Sequence, residues 1–162
     1  VFARKFVKGL AVALVLAVLL ARPAFAQRTI GVTGPDGTTS TANLAEFTRQ
    51  TVVTSDRGLR TTFTGVALRD VLAKVGVPLG EALRGKALSR VIIARAPDGY
   101  QVTYAIAEVD AAFTDQVILI ADQRDGRSLL PDTGPLQIVV PNDKRPARWV
   151  RQVSALEVRD VK

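Results

Sequence analysis

Hydrophobic and polar positions along the chain change period several times, and each change marks an element. Residues 28–33 alternate and run into Gly34-Pro35-Asp36-Gly37, which predicts a strand and a tight turn. Ser40 or Thr41 stands where it can cap a short helix over Leu44, Ala45 and Phe47. The β-branched runs 51–54 and 59–64 flank Ser55-Asp56-Arg57-Gly58, so two strands with a hairpin or loop between them are predicted. Leu68, Val71, Leu72 and Val75 then recur at i, i+3, i+4 and i+7, with Gly76 and Pro78 as the stop signal of a helix. Residues 89–96 and 100–106 flank Pro97-Asp98-Gly99 as a second hairpin, and 108–113 has the character of a helical turn. The short, wholly apolar runs 117–121 and 136–140 predict buried strands, separated by a turn at Asp125-Gly126; residues 150–158 alternate again. With no internal repeat and no low-complexity linker, this order of elements predicts one α+β domain, its sheet curled on itself.

Residues 1–26 follow a different logic. Arg4, Lys5 and Lys8 precede an unbroken apolar run over residues 10–20, and Ala24-Phe25-Ala26 supplies small residues at a cleavage site. That order predicts a secretory signal peptide cut near Ala26-Gln27, leaving a domain of residues 27–162 in the periplasm or outside the cell. The rival, a membrane anchor, needs roughly 20 apolar residues. The run here is 11 long and is closed by Arg22 and Pro23, so the mature chain is not expected to span a membrane.

Composition narrows the chemistry. Of the 162 residues 48% are hydrophobic, enough for a packed core, and none is Cys, His or Met. The chain therefore forms no disulfide and offers neither thiolate nor imidazole to a metal or a reaction. Ser-His-Asp and Cys-His catalysis, zinc fingers and His-, Cys- or Met-ligated haem are excluded. Residues 1–26 hold four of the 22 Lys and Arg and none of the 15 acids, so the net charge of +7 overstates the basicity of the remainder and nucleic acid is not an expected partner.

Three polar segments are candidates for function. Pro141-Asn142-Asp143-Lys144-Arg145-Pro146-Ala147-Arg148-Trp149 lies between two predicted strands, is stiffened by two prolines and holds the only Trp. Cations beside an aromatic ring suit a flat heterocycle that carries a phosphate. The same segment reads equally as a core tryptophan followed by a solvated basic loop. Ser55-Asp56-Arg57-Gly58 could line a pocket or simply end a hairpin, and Asp122-Gln123-Arg124-Asp125-Gly126 likewise reads as a turn before it reads as a site. Asp56, Asp122 and Asp143 have no spacing that resembles a calcium loop, and glycine-rich phosphate loops are absent.

Three stretches taken together carry a resemblance. They are Phe63-Thr64-Gly65-Val66-Ala67-Leu68-Arg69-Asp70-Val71-Leu72, Asp98-Gly99-Tyr100-Gln101-Val102, and the run from Asp125 through Gly134-Pro135-Leu136-Gln137-Ile138-Val139-Val140-Pro141 to Arg148-Trp149-Val150. Their order and spacing resemble the oxidoreductase molybdopterin-binding domain of the sulfite oxidase family. The resemblance implies a sulfite-oxidase-like mixed β-sheet fold with a few short helices and a cleft for a pterin and its phosphate. It also implies cofactor contacts from Lys144, Arg145, Arg148 and Trp149, to which Arg57 and Asn142 of the candidate loops are added. Active members fix molybdenum with a Cys thiolate. This chain has none, and Thr54-Ser55-Asp56-Arg57 stands where that loop would fall.

The function expected is therefore an exported pterin- or molybdopterin-binding module, non-catalytic and without metal, acting as a ligand sensor or carrier with a membrane protein of the periplasm as its partner. The alternative is a molybdenum-cofactor oxidoreductase that uses an oxygen ligand or a thiolate from a partner subunit. A third reading is an interaction domain whose cleft has closed.

Overall fold

A computed structural model describes residues 28–56 and 58–161. The signal peptide expected over residues 1–26 lies outside the described residues, as does Arg57.

Ten strands form two sheets. In the first, β2 (Thr39–Asn43), β1 (Thr29–Thr33), β10 (Ala155–Asp160), β5 (Arg90–Arg95) and β6 (Gln101–Ala105) stand in that order, with β1 and β10 parallel and the other pairs antiparallel. In the second, β3 (Arg49–Asp56), β4 (Leu59–Ala67), β7 (Leu119–Arg124) and β8 (Arg127–Ser128) form an antiparallel path, and β9 (Gln137–Val139) pairs with β7. Two sheets thus take the place of one curled sheet. The single α-helix among the described residues, α1 (Leu68–Lys74), buries Leu68, Val71 and Leu72 and stops where Gly76 adopts φ +85°, as the spacing predicts.

The main core joins both sheets and α1. Ile30, Ile92 and Leu156 of the first sheet share it with Val66, Ile120 and Ile138 of the second and with Leu72 of the helix. A second, smaller cluster of Phe63, Leu119, Ala121 and Val139 lies on the other face of β4, β7 and β9. The first half of β7 is therefore covered on both sides, which is why residues 117–121 are continuously apolar instead of alternating.

Two local expectations change. Thr39–Asn43 is strand β2, not the start of a helix: its residues pair with β1 and point Ala42 inward, while Asn43 caps the short turn Leu44–Glu46 by accepting from the Ala45 amide at 3.1 Å. The alternation after residue 150 becomes a strand only from Ala155. Before that the backbone of residues 150–153 is engaged by another segment, with Ile138 N donating to Val150 O and Val153 N to Leu136 O.

One irregularity governs how the second sheet is phased. Thr64 pairs with Gln123 and Gly65 with Ala121, so Asp122 is an extra residue in β7, a bulge opposite Gly65. A Cβ on Gly65 would lie 2.0 Å from the Ile120 carbonyl oxygen, so only glycine fits there. The bulged Asp122 is buried, and its carboxylate is held by Arg49, at 2.8 Å through Nη1, and by Arg28 at 3.1 Å.

Gly65→Ala is expected to lower unfolding free energy by about 3 kcal/mol in a urea titration, because backbone atoms cannot yield to the new methyl. Gly31→Ala, whose Cβ would meet nothing within 4 Å, is the control, expected to stay within about 0.5 kcal/mol of the parent. On β10, hydrogen bonds from Arg159 and then Arg95 hold the Glu157 carboxyl below its ordinary value of 4.5. A depressed carboxylate adds stability that is complete above pH 4.5 and is lost as pH falls through the lowered value. The stability gap between parent and Glu157→Gln should accordingly be constant near neutrality and narrow on acidification below that point.

Candidate functional site

The two prolines of segment 141–149 hold it as a strap across the outer face of the second sheet. A cleft of about 260 Å³ lies beneath it. The β3–β4 hairpin contributes Thr54, Ser55, Thr61 and Phe63, the end of β7 contributes Arg124, and the segments around β9 contribute Thr133 and Gln137. The strap itself contributes Pro141, Asp143, Lys144, Pro146 and Trp149, and Arg151 follows. A second hollow of about 260 Å³ adjoins the first and shares Pro146, Trp149 and Arg151 with it.

Trp149 is both anchored in the core and open to the cleft. Its Nε1 donates to the Val140 carbonyl at 3.1 Å, and its ring meets Phe63 edge-to-face, centroids 5.5 Å apart at 89°. Those contacts anchor it to both core clusters. The ring nonetheless remains half-buried and lines both hollows.

The bulge explains the cation on the opposite wall. Leu119 and Ala121 face the smaller cluster, and strict alternation would send residue 124 to the other face. The extra residue at 122 restores the phase, so Arg124 lies over Phe63, 5.9 Å from the ring centroid, and borders the cleft. Lys144, Arg124 and Arg151 thus surround a cleft whose one carboxylate, Asp143, is already bonded to Arg148 at 2.7 and 2.9 Å.

Of the residues singled out from sequence, Lys144 and Trp149 line the cleft. Asn142 and Arg145 are exposed on the strap and do not border it. Arg148 does not border the cleft but lies between Asp143 and Glu108, and the hydrogen bonds it donates to those two carboxylates hold its guanidinium charged well above its ordinary value. Arg57 is outside the described residues. Arg124 stood in a candidate segment that was read as a turn first, and sequence reasoning passed over Arg151, two residues beyond the tryptophan. It also passed over the hydroxyls of Thr54, Thr61 and Thr133. Among the described residues no group of three acidic side chains is placed to hold a metal ion.

The family model described as oxidoreductase molybdopterin binding domain matches residues 19–162. The chain belongs to that family. A solved structure with the same fold is the sulfane dehydrogenase SoxCD from Paracoccus pantotrophus, at TM-score 0.62 and 18% identity, covering 82% of this chain. The chain spans 38% of the length of that relative. Among curated protein sequences none matches. The sulfite-oxidase-like α+β fold read from the three sequence stretches is thereby established, and with it a molybdopterin-type ligand for the family's domain.

The residues present fit part of that ligand. An aromatic face, hydroxyls and a side-chain amide suit the edges and plane of a pterin, and three cations suit a phosphate monoester. For a metal the chain offers no sulfur; of the segment 54–57, the hydroxyl-bearing Thr54 and Ser55 border the cleft. Family membership does not support the expectation that no metal is held, and the question passes to the experiment below.

Trp149→Ala should lower unfolding free energy by about 3 kcal/mol, since it leaves a void between the two clusters. Trp149→Phe, which loses chiefly the hydrogen bond to Val140, should cost about 1 kcal/mol. Urea titrations of both variants check this.

Proposed function

We propose that this chain is an exported molybdopterin-binding module that holds its ligand without furnishing a thiolate to a metal, and that it works as a ligand sensor or carrier and not as an enzyme. The observation that supports the reading is the cleft itself, where the Trp149 ring stands among Lys144, Arg124 and Arg151 while Asp143, the carboxylate that lines the cleft with them, is bonded to Arg148. Molybdopterin, when bound, supplies a sulfur chelate for molybdenum and the redox chemistry of that metal. The chain's own residues do other work. Trp149 offers a ring to stack on, the cations hold the phosphate, and Thr54, Thr61 and Gln137 present hydrogen-bonding groups to ring edges. Export rests on residues 1–26, and a membrane protein of the periplasm is the partner such a module would report to.

A second reading is favoured by one observation. Ser55 borders the cleft, and an oxygen ligand there would make the domain a small oxidoreductase. Protein expressed with residues 1–26 intact and purified from the periplasm separates the two. Released pterin without molybdenum supports the binding module, stoichiometric molybdenum lost in Ser55→Ala supports the oxidoreductase, and neither pterin nor metal overturns both. Lys144→Ala and Arg151→Ala should each weaken binding of a pterin phosphate monoester by about tenfold, or about 1.4 kcal/mol. The effect should shrink as salt is added in a titration calorimeter.

A further inference from the structure

Resting on that reading of the cleft, we infer that Arg148 is a positioning residue: it does not touch the ligand but clamps the 141–149 strap so that Lys144 and Trp149 face it. Five of the cleft's lining residues come from this strap, and Arg148 ties the strap at three points. Nε and Nη2 grip both oxygens of Asp143 at 2.9 and 2.7 Å. Nη1 reaches Glu108 at 2.8 Å. The guanidinium lies 5.5 Å from the centroid of the Tyr104 ring, whose buried hydroxyl donates to the carbonyl of Arg148 itself. The anchor point is rigid. Glu108 follows the end of β6 and accepts from the Ala105 amide at 3.1 Å through its other oxygen. Tyr100, on the turn leading into β6, donates to the carbonyl of Ala147, so the strap is tied to the β5–β6 hairpin at residues 147 and 148.

This arrangement sets Arg148 apart from the cations that border the cleft. A planar fork that spends three N–H groups on two carboxylates has its charge already matched before a phosphate arrives, whereas the geometry it enforces is one an ammonium group does not reproduce. The side chain is 37% exposed, so the clamp should matter more for where the strap lies than for whether the domain folds.

The test uses the full chain, Arg148→Lys and Glu108→Gln, with neopterin monophosphate as the probe. A directly binding Arg148 makes two demands: Lys should retain most of the affinity, and Glu108→Gln should free the guanidinium and tighten binding. A positioning Arg148 makes the opposite ones, with both variants weakening the probe by about tenfold or more through displacement of the strap. A second reading needs no ligand. Trp149 is the only tryptophan, and its quenching by acrylamide should rise in both variants while their melting temperatures stay near the parent's. Tighter or unchanged binding in Glu108→Gln, or unaltered quenching in both variants, overturns the inference. If the parent itself fails to bind the probe, the reading of the cleft falls, and the quenching alone decides whether Arg148 sets the strap.

Discussion

The contact between β4 and β7 at Gly65 sets the geometry on which the cleft depends. The backbone of β7 approaches so closely that no side chain fits on β4, and the extra residue Asp122 rotates the rest of the strand by half a period. Upstream of the bulge β7 completes the core on both faces; downstream it delivers Arg124 to the cleft side. The displaced Asp122 would be a costly buried charge on its own, and Arg28 and Arg49 offset it from two other strand boundaries. A feature that looks like a defect in the ladder thereby joins the ends of β1, β3 and β7 and re-aims one side chain, which is how bulges beside binding sites commonly act.

The basic strap shows why a run of like residues in sequence need not share a role. Lys144, Arg145 and Arg148 lie within five positions, yet one borders the cleft, one is exposed on the strap and one is clamped behind it. The prolines at 141 and 146 and the short turn Pro146–Arg148 impose the divergence by turning successive side chains in different directions. Asp143 belongs to the same division: bonded to Arg148, it no longer cancels the positive charge that Lys144, Arg124 and Arg151 bring to the cleft.

Much of the fold was legible because its signals are local. The period of Leu68, Val71 and Leu72, the glycine that stops α1, the Pro-Asp-Gly turn and the apolar run 117–121 that opens β7 each follow from short-range chemistry. Strand β2 was misread because Ser and Thr cap helices and also suit strands, and only pairing with β1 decides between them. The site was legible in part for the same reason. Trp149 and Lys144 announced themselves by composition, whereas Arg124 reached the cleft through a bulge, which depends on a register between strands more than fifty residues apart. Gly65 was visible within the family-like stretch, but the carbonyl that forbids any other residue was not.

The absence of cysteine bears on the metal and not on the cleft. Groups that suit a pterin and its phosphate are spread over the β3–β4 hairpin, the end of β7 and the strap, and each is fixed by contacts that involve no sulfur: Trp149 by Phe63 and Val140, the strap by Arg148, Arg124 by the bulge. A thiolate would enter from the hairpin tip, where Ser55 now stands, and nothing in the packing of the other walls relies on it. The walls of the cleft therefore keep their shape without a thiolate, because the forces that shape the cleft are the same ones that close the second sheet's core.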